Sequence, residues 1–240
     1  MDKAKFYSEL RKRDSGVFGT SISQAQVDSI EAILHVADQC RVDNADLGYI
    51  LGTAYHECKM VPVRESLYYT SAARIAEVWP SRFSVASAGA FVRNSKKLAN
   101  EVYNGRMGNA MFSGDGYNYR GAGLVQITGR DNFRKYSEVT GVDILSNPDL
   151  ANEPAVAAEI IVRGMVDGGF TGYRLDEFRD DYVGARKIVN PDSNGELVAG
   201  YAHTFYMALV NSGRSVDVVA PEPVSVEKVG FWDRILRFCK

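Results

Sequence analysis

Two glutamates bracket the stretch "ECKMVPVRE", residues 57 to 65, and their settings differ. Glu57 ends a segment in which Leu47, Ile50, Leu51, Ala54, Tyr55 and Cys58 recur at helical spacing. At 3.6 residues per turn Glu57 falls on the shoulder of that stripe, roughly 80–90° from its centre near Ala54. A carboxyl there is half-buried, which disfavours its ionised form and keeps a proton available to donate near neutral pH. Glu65 follows Pro62, outside the helix, and its neighbour Arg64 favours the charged form. One carboxyl that holds a proton and one that has lost it can act as general acid and general base at a glycosidic bond. Thirty acidic residues generate many such pairs, so two ordinary surface acids remain the alternative on spacing alone.

Other chemistry fits the sequence less well. Cys58 sits in the middle of the apolar stripe, as a core thiol does, and His56 falls on the opposite side, where it cannot serve as its base. His56-Glu57 lacks the second histidine of a zinc-protease helix, because position 60 is Met60. With His35, His56 and His203 as the full histidine complement and no paired cysteines, no metal site is expected. Gly121 and Gly123 resemble the start of a dinucleotide fingerprint, but Gln126 stands at the third glycine and no strand–helix–strand unit surrounds it. "PDSNGE", residues 191–196, reads as a turn rather than a calcium loop.

The elements that must carry these residues are helical. Apolar periodicity predicts helices over about 23–40, over the 47–58 stripe, over 156–165 and over 197–209. Shorter ones are expected at 71–79, stopped by Pro80, and at 95–104 and 130–140. The stretch 103–123 holds six glycines and reads as an ordered functional loop. Residues 1–210 form the expected catalytic domain, mainly α. Residues 211–228 read as a linker, and 229–240 as a short basic amphipathic segment with Phe231, Trp232, Ile235, Leu236 and Cys239 on one face. That face suits either a membrane surface or docking on the domain.

Charge and composition exclude several classes. A formal net charge of −2 argues against a dedicated nucleic-acid binder. Twelve basic against five acidic residues over 58–135, and five against eleven over 141–200, leave one half able to face an anionic polymer. Three cysteines suit a reducing compartment, the N-terminus has no apolar signal core, and no run of eighteen apolar residues exists. Synthesis and folding in a cytoplasm are expected.

The segments "AYHE" (54–57), "RESLYYTSAARIAEVWPSRF" (64–83), "VYNGRMGN" (102–109), "GDGYNYRGAGLVQITGRDNF" (114–133) and "ARKIVN" (185–190), in this order, resemble glycoside hydrolase family 19. The likeness spans roughly residues 20–210, is nearest to the family's bacteriophage endolysin branch, and extends to its chitinases. It implies a lysozyme-like helical domain with a deep substrate cleft. It also implies Glu57 as general acid and Glu65 as the carboxylate that activates water. By the same likeness Thr128 holds that water and Gln126, Asn132 and Asn190 line the site. Tyr69, Tyr117 and Tyr119 become candidate sugar-stacking faces, with Arg120 beside them as a substrate contact. Gly121-Ala122-Gly123 lacks the arginine common between those glycines, and Pro191 replaces a glycine. The implied reaction is inverting hydrolysis, with carboxyls roughly 6.5–9.5 Å apart.

The reading is a peptidoglycan hydrolase cleaving β-1,4 bonds, an N-acetylmuramidase, needing no cofactor or metal and working as a monomer. It would wait in the host bacterial cytoplasm and reach the cell wall after a holin opens the membrane. A chitinase would use the same residues. A lytic transglycosylase, or a wall-binding protein with a disabled site, are the further alternatives.

Overall fold

The computed structural model describes residues 1–179, 181–191 and 194–215. The amphipathic segment 229–240 and most of the expected linker therefore lie outside the described residues. Ten α-helices, joined by four 3-10 turns, form the described chain, and the pairing of Ala122 with Ile127 is an isolated bridge rather than a strand.

The chain opens with α1 (Lys3–Leu10), whose Phe6 and Leu10 are buried. A Ser23–Gln26 capping box starts α2 (Gln24–Gln39), and Gln26 Nε2 donates to Lys59 O at 3.0 Å. Asp43 caps α3 (Asn44–Cys58) by accepting from the Asp46 N–H. This helix is the axis of the fold, because all nine residues from Leu47 to Tyr55 are buried. The 47–58 stripe is therefore one side of a helix covered all round, a broader burial than periodicity alone suggests.

Lys59 and Met60, both in the left-handed conformation, stop α3. The chain then passes α4 (Ala72–Val78), α5 (Val85–Ala88), α6 (Ser95–Tyr103) and α7 (Asp115–Asn118). It continues through α8 (Arg130–Thr140), α9 (Pro154–Val166), opened by Pro154 at its first position, and α10 (Gly195–Asn211). Most predicted helices fall within a residue or two of these bounds.

Two separate apolar cores result. The larger joins α1, α2, α3, α8, α9 and α10, and the smaller is built from Leu67, Ile75, Phe83, Ala88, Leu98, Ala99 and Val102. Close approach of α3 to α10 depends on two glycines. A Cβ on Gly52 would stand 2.6 Å from Ala202 N, and one on Gly48 would stand 2.9 Å from Ala202 O. The polypeptide passes from the larger core to the smaller between Met60 and Leu67, and returns between Tyr117 and Tyr119. Glu65 lies on the first of these crossings.

The end of α10 corrects the expected linker boundary. Ser212 and Arg214 are buried, and the Arg214 guanidinium donates to Asp38 Oδ1 at 2.7 Å, Asn44 Oδ1 at 2.8 Å and Val42 O at 3.1 Å. The first residues of the expected linker are thus packed against the α2–α3 connection.

Candidate active site

Glu57 sits in the last turn of α3, just beyond the fully buried stretch. Arg186 Nη1 donates to its Oε1 at 2.6 Å. The arginine side chain is 3% exposed and the glutamate side chain 18%, so the ion pair is largely screened from solvent. Arg186 lies on the 3-10 turn Gly184–Ile188, held in place by buried Ala185 and Ile188. Thr171 Oγ1 is within 2.7 Å of Lys187 O and 3.0 Å of Ile188 O. Tyr182 Oη donates to Ala45 O at 2.7 Å, tying the same segment to the start of α3. Asn190 follows, its N–H donating to Arg186 O at 3.0 Å. The sequence suggests only a half-buried carboxyl for Glu57, whereas the fold supplies a buried cation from 129 residues away.

The Glu65 carboxylate meets neutral donors, although Arg120 binds its backbone. Its backbone N–H donates to Gly121 O at 2.8 Å, and its carbonyl accepts from Arg120 Nε at 2.9 Å. Tyr103 Oη stands 3.0 Å from each carboxylate oxygen, and the Gly121 N–H stands 3.3 Å from Oε2. Tyr103 is the last residue of α6, and its ring packs on the smaller core. Burial, then the Glu65 charge, push the Tyr103 hydroxyl well above the ordinary tyrosine range, so it remains a proton donor. Burial and the same charge also raise Tyr69, which meets Trp79 edge-on at 5.6 Å.

Arg64 does not accompany Glu65 as its position in the sequence suggests. Its guanidinium donates to Asn118 O at 2.5 Å and Arg120 O at 3.3 Å, with Nε 3.3 Å from Asp149 Oδ1. Burial pushes this guanidinium down to about 10. Arg120 in turn lies 4.0 Å over the Tyr117 ring and donates to Tyr117 O at 2.7 Å. The two arginines staple the outgoing and returning crossings between the cores.

Gln126, Thr128 and Asn132 follow from Glu65 in a connected chain. A Cβ on Gly121 would meet Gln126 Oε1 at 2.6 Å and Glu65 Cβ at 3.2 Å, so glycine allows all three to crowd together. Gln126 is left-handed at φ 52°, with Nε2 donating to Val63 O at 2.8 Å and Gly123 O at 3.1 Å. Thr128 Oγ1 donates to Gln126 O at 3.1 Å, and Asn132 Nδ2 to Thr128 O at 2.8 Å.

The fold thus gathers Glu65, Tyr69, Tyr117, Arg120, Gln126, Thr128 and Asn132 around the crossings, and pairs Glu57 with the turn that leads to Asn190. Tyr119 is placed otherwise. It is buried, donates to Leu145 O at 3.1 Å and packs on Phe133 at 5.3 Å, so it offers no open face for a sugar. Cys58 is a packed thiol near Ala54 O and Leu124 O, and burial pushes it up to about 12. Sequence reasoning assigned no role to Arg186, Tyr103 or Asn109. Buried Asn109 shapes the glycine-rich loop by donating to Tyr103 O and accepting from the Arg130 N–H, both at 2.9 Å. All three lie within residues 102–109 and 185–190, but only the folded contacts assign them work.

No protein-family model matches the chain. A stretch of 76 residues, 29% of the chain, is 42% identical to a Haemophilus influenzae protein described as "Glycosyl hydrolase family 19 domain-containing protein". The chain carries a segment homologous to part of that protein. It spans 38% of that relative's length. A crystal structure of a chitinase C mutant superposes with a TM-score of 0.49 at 14% identity, over 90% of this chain and 94% of that one.

Proposed function

We propose that the protein is a glycoside hydrolase that cleaves β-1,4 bonds in an N-acetylhexosamine polymer, with Glu57 as acid and Glu65 as base. The observation that carries this reading is that the fold holds both carboxyls in place. Each is fixed by its own donors, one by a buried arginine and one by a tyrosine hydroxyl and a backbone N–H. In the proposed reaction a water gives a proton to Glu65 and its oxygen attacks the anomeric carbon. The glycosidic C–O bond breaks as Glu57 passes its proton to the leaving oxygen, and the anomeric centre inverts. For that transfer the Arg186–Glu57 ion pair must part and Glu57 must carry a proton.

A chitin-type chain is the simplest member of this substrate class. Peptidoglycan presents the same β-1,4 backbone with a lactyl ether and peptide stem added on alternate sugars, so it demands more room. The homopolymer therefore ranks first, and the endolysin role, with peptidoglycan as substrate and release through a holin, is the more specific version of the same reading. Tyr69, Tyr117 and Arg120 are proposed as sugar contacts, together with Gln126, Asn132 and Asn190, while Thr128 holds the water. Mass spectrometry of products from chito-oligosaccharides and from purified peptidoglycan tests the reading. Hydrolytic fragments that vanish with Glu57→Gln support it. Cleavage of neither polymer, or 1,6-anhydro ends, contradicts it.

A further inference from the structure

We propose that Tyr103 is a positioning residue for Glu65, holding the carboxylate so that one oxygen faces the water it deprotonates. This rests on the reading of Glu65 as the base. The Tyr103 hydroxyl lies 3.0 Å from both Oε1 and Oε2, so it bridges the carboxylate and sets its plane. Gly121 N–H adds a second donor at Oε2, 3.3 Å away, which leaves Oε1 the less occupied oxygen.

Tyr103 is itself well fixed. Its ring packs on the smaller core and its carbonyl accepts from Asn109 Nδ2 at 2.9 Å. The next residue, Asn104, donates to Ser113 O at 2.9 Å and accepts from the Gly116 N–H at 2.8 Å. The glycine-rich loop therefore has a mechanical purpose: its internal hydrogen bonds lock the end of α6, and the end of α6 locks the base.

The charged and titratable groups around this contact are few. Tyr69 lies on the segment that enters α4, and Arg106, three residues after Tyr103, acts electrostatically on its hydroxyl. Arg120 binds the Glu65 carbonyl rather than its carboxylate, and the Arg64 guanidinium is bonded to carbonyls at 118 and 120. Tyr103 thus supplies the one side-chain hydrogen bond that the described residues show on the carboxylate.

The test compares wild type, Tyr103→Phe and a variant with 3-fluorotyrosine at 103, in the intact protein. Carbon-13 NMR of labelled glutamate carboxyls, with the Glu65 signal assigned from Glu65→Gln, follows the titration directly without needing activity. Tyr103→Phe moves the Glu65 midpoint to higher pH. It also lowers kcat about tenfold, the scale of one lost hydrogen bond to a charged group, with KM little changed. The fluorinated phenol, a stronger donor, moves the midpoint to lower pH. A tyrosine that only fills space would move it in neither variant, and an unmoved midpoint in both overturns the proposal. Should Tyr103→Phe fail to fold, the fluorotyrosine shift alone decides. A shifted midpoint combined with a fully active Glu65→Gln leaves the positioning contact intact and removes the base reading on which the proposal rests.

Discussion

Glu57 and Glu65 stand eight residues apart in sequence, yet the fold surrounds them by different means. Glu57 closes the most deeply buried helix and meets a charge that arrives from the far end of the chain, Arg186 at 2.6 Å. Glu65 lies on an extended crossing between two cores and meets neutral donors, Tyr103 and the Gly121 N–H. A cation fixes a carboxyl by attraction and tolerates little change, because breaking a buried pair strands a charge. Neutral hydrogen bonds fix orientation at lower cost. The difference is one of means: an ion pair holds one carboxyl and neutral hydrogen bonds hold the other.

The largest expected effect comes from replacing the acid. Glu57→Gln keeps an oxygen for Arg186 to bind but removes the proton donor and one charge of a buried ion pair, so turnover falls at least about a hundredfold and the melting temperature drops, while the fold is retained. Retention of more than about a tenth of wild-type kcat would remove Glu57 from that role. Next is the frame around it. Arg186→Ala leaves Glu57 without this partner and opens a buried gap, so urea denaturation should show a loss on the order of 3 kcal/mol. A loss below about 0.5 kcal/mol would mean the pair is not holding α3 to the 184–188 turn.

At the other carboxyl, Gly121→Ala places a methyl 3.2 Å from Glu65 Cβ and 2.6 Å from Gln126 Oε1. Gln126 can swing aside and Glu65 Cβ must yield a few tenths of an ångström, so activity falls several-fold with a stability cost of about 1 kcal/mol. Undiminished activity would show that the crowding around Glu65 is incidental.

The smallest effect concerns Cys58, which neither carboxyl needs. Cys58→Ala leaves kcat unchanged and costs about 1 kcal/mol from the small cavity. Burial raises this thiol from 9.0 to about 12 in the folded protein. Its contribution to stability is therefore present in full below pH 9 and is lost as pH rises from there toward 12, since only the unfolded chain ionises readily. The alanine variant should lose less stability than wild type across that interval, and equal losses would contradict the burial.

Much of the frame was legible in the sequence because helical periodicity is local. The 130–140 helix was predicted with the bounds it has, and α2, α3 and α6 within a few residues of theirs. The two carboxyls stand out as candidates by type and by order of segments. Their partners do not, because Arg186 and Tyr103 are defined by contacts across 129 and 38 residues. Tyr117 and Tyr119 look alike in sequence, yet the chain changes core between them, so one packs with the smaller lobe and the other vanishes into the larger. The short α5 carries too few residues for a period to show. Arg214 read as part of a linker because its partners, Asp38 and Asn44, lie at the opposite end of the chain.

The most direct measurement of the two-carboxylate account is proton NMR of the freshly formed reducing end during cleavage of a chito-oligosaccharide, or of a peptidoglycan fragment if that is the polymer cleaved. Wild-type protein should release the α-anomer first, before mutarotation, and Glu57→Gln and Glu65→Gln should each release product at least about a hundredfold more slowly. A β-anomer formed first, an anhydro sugar, or wild-type rates in either variant would contradict it.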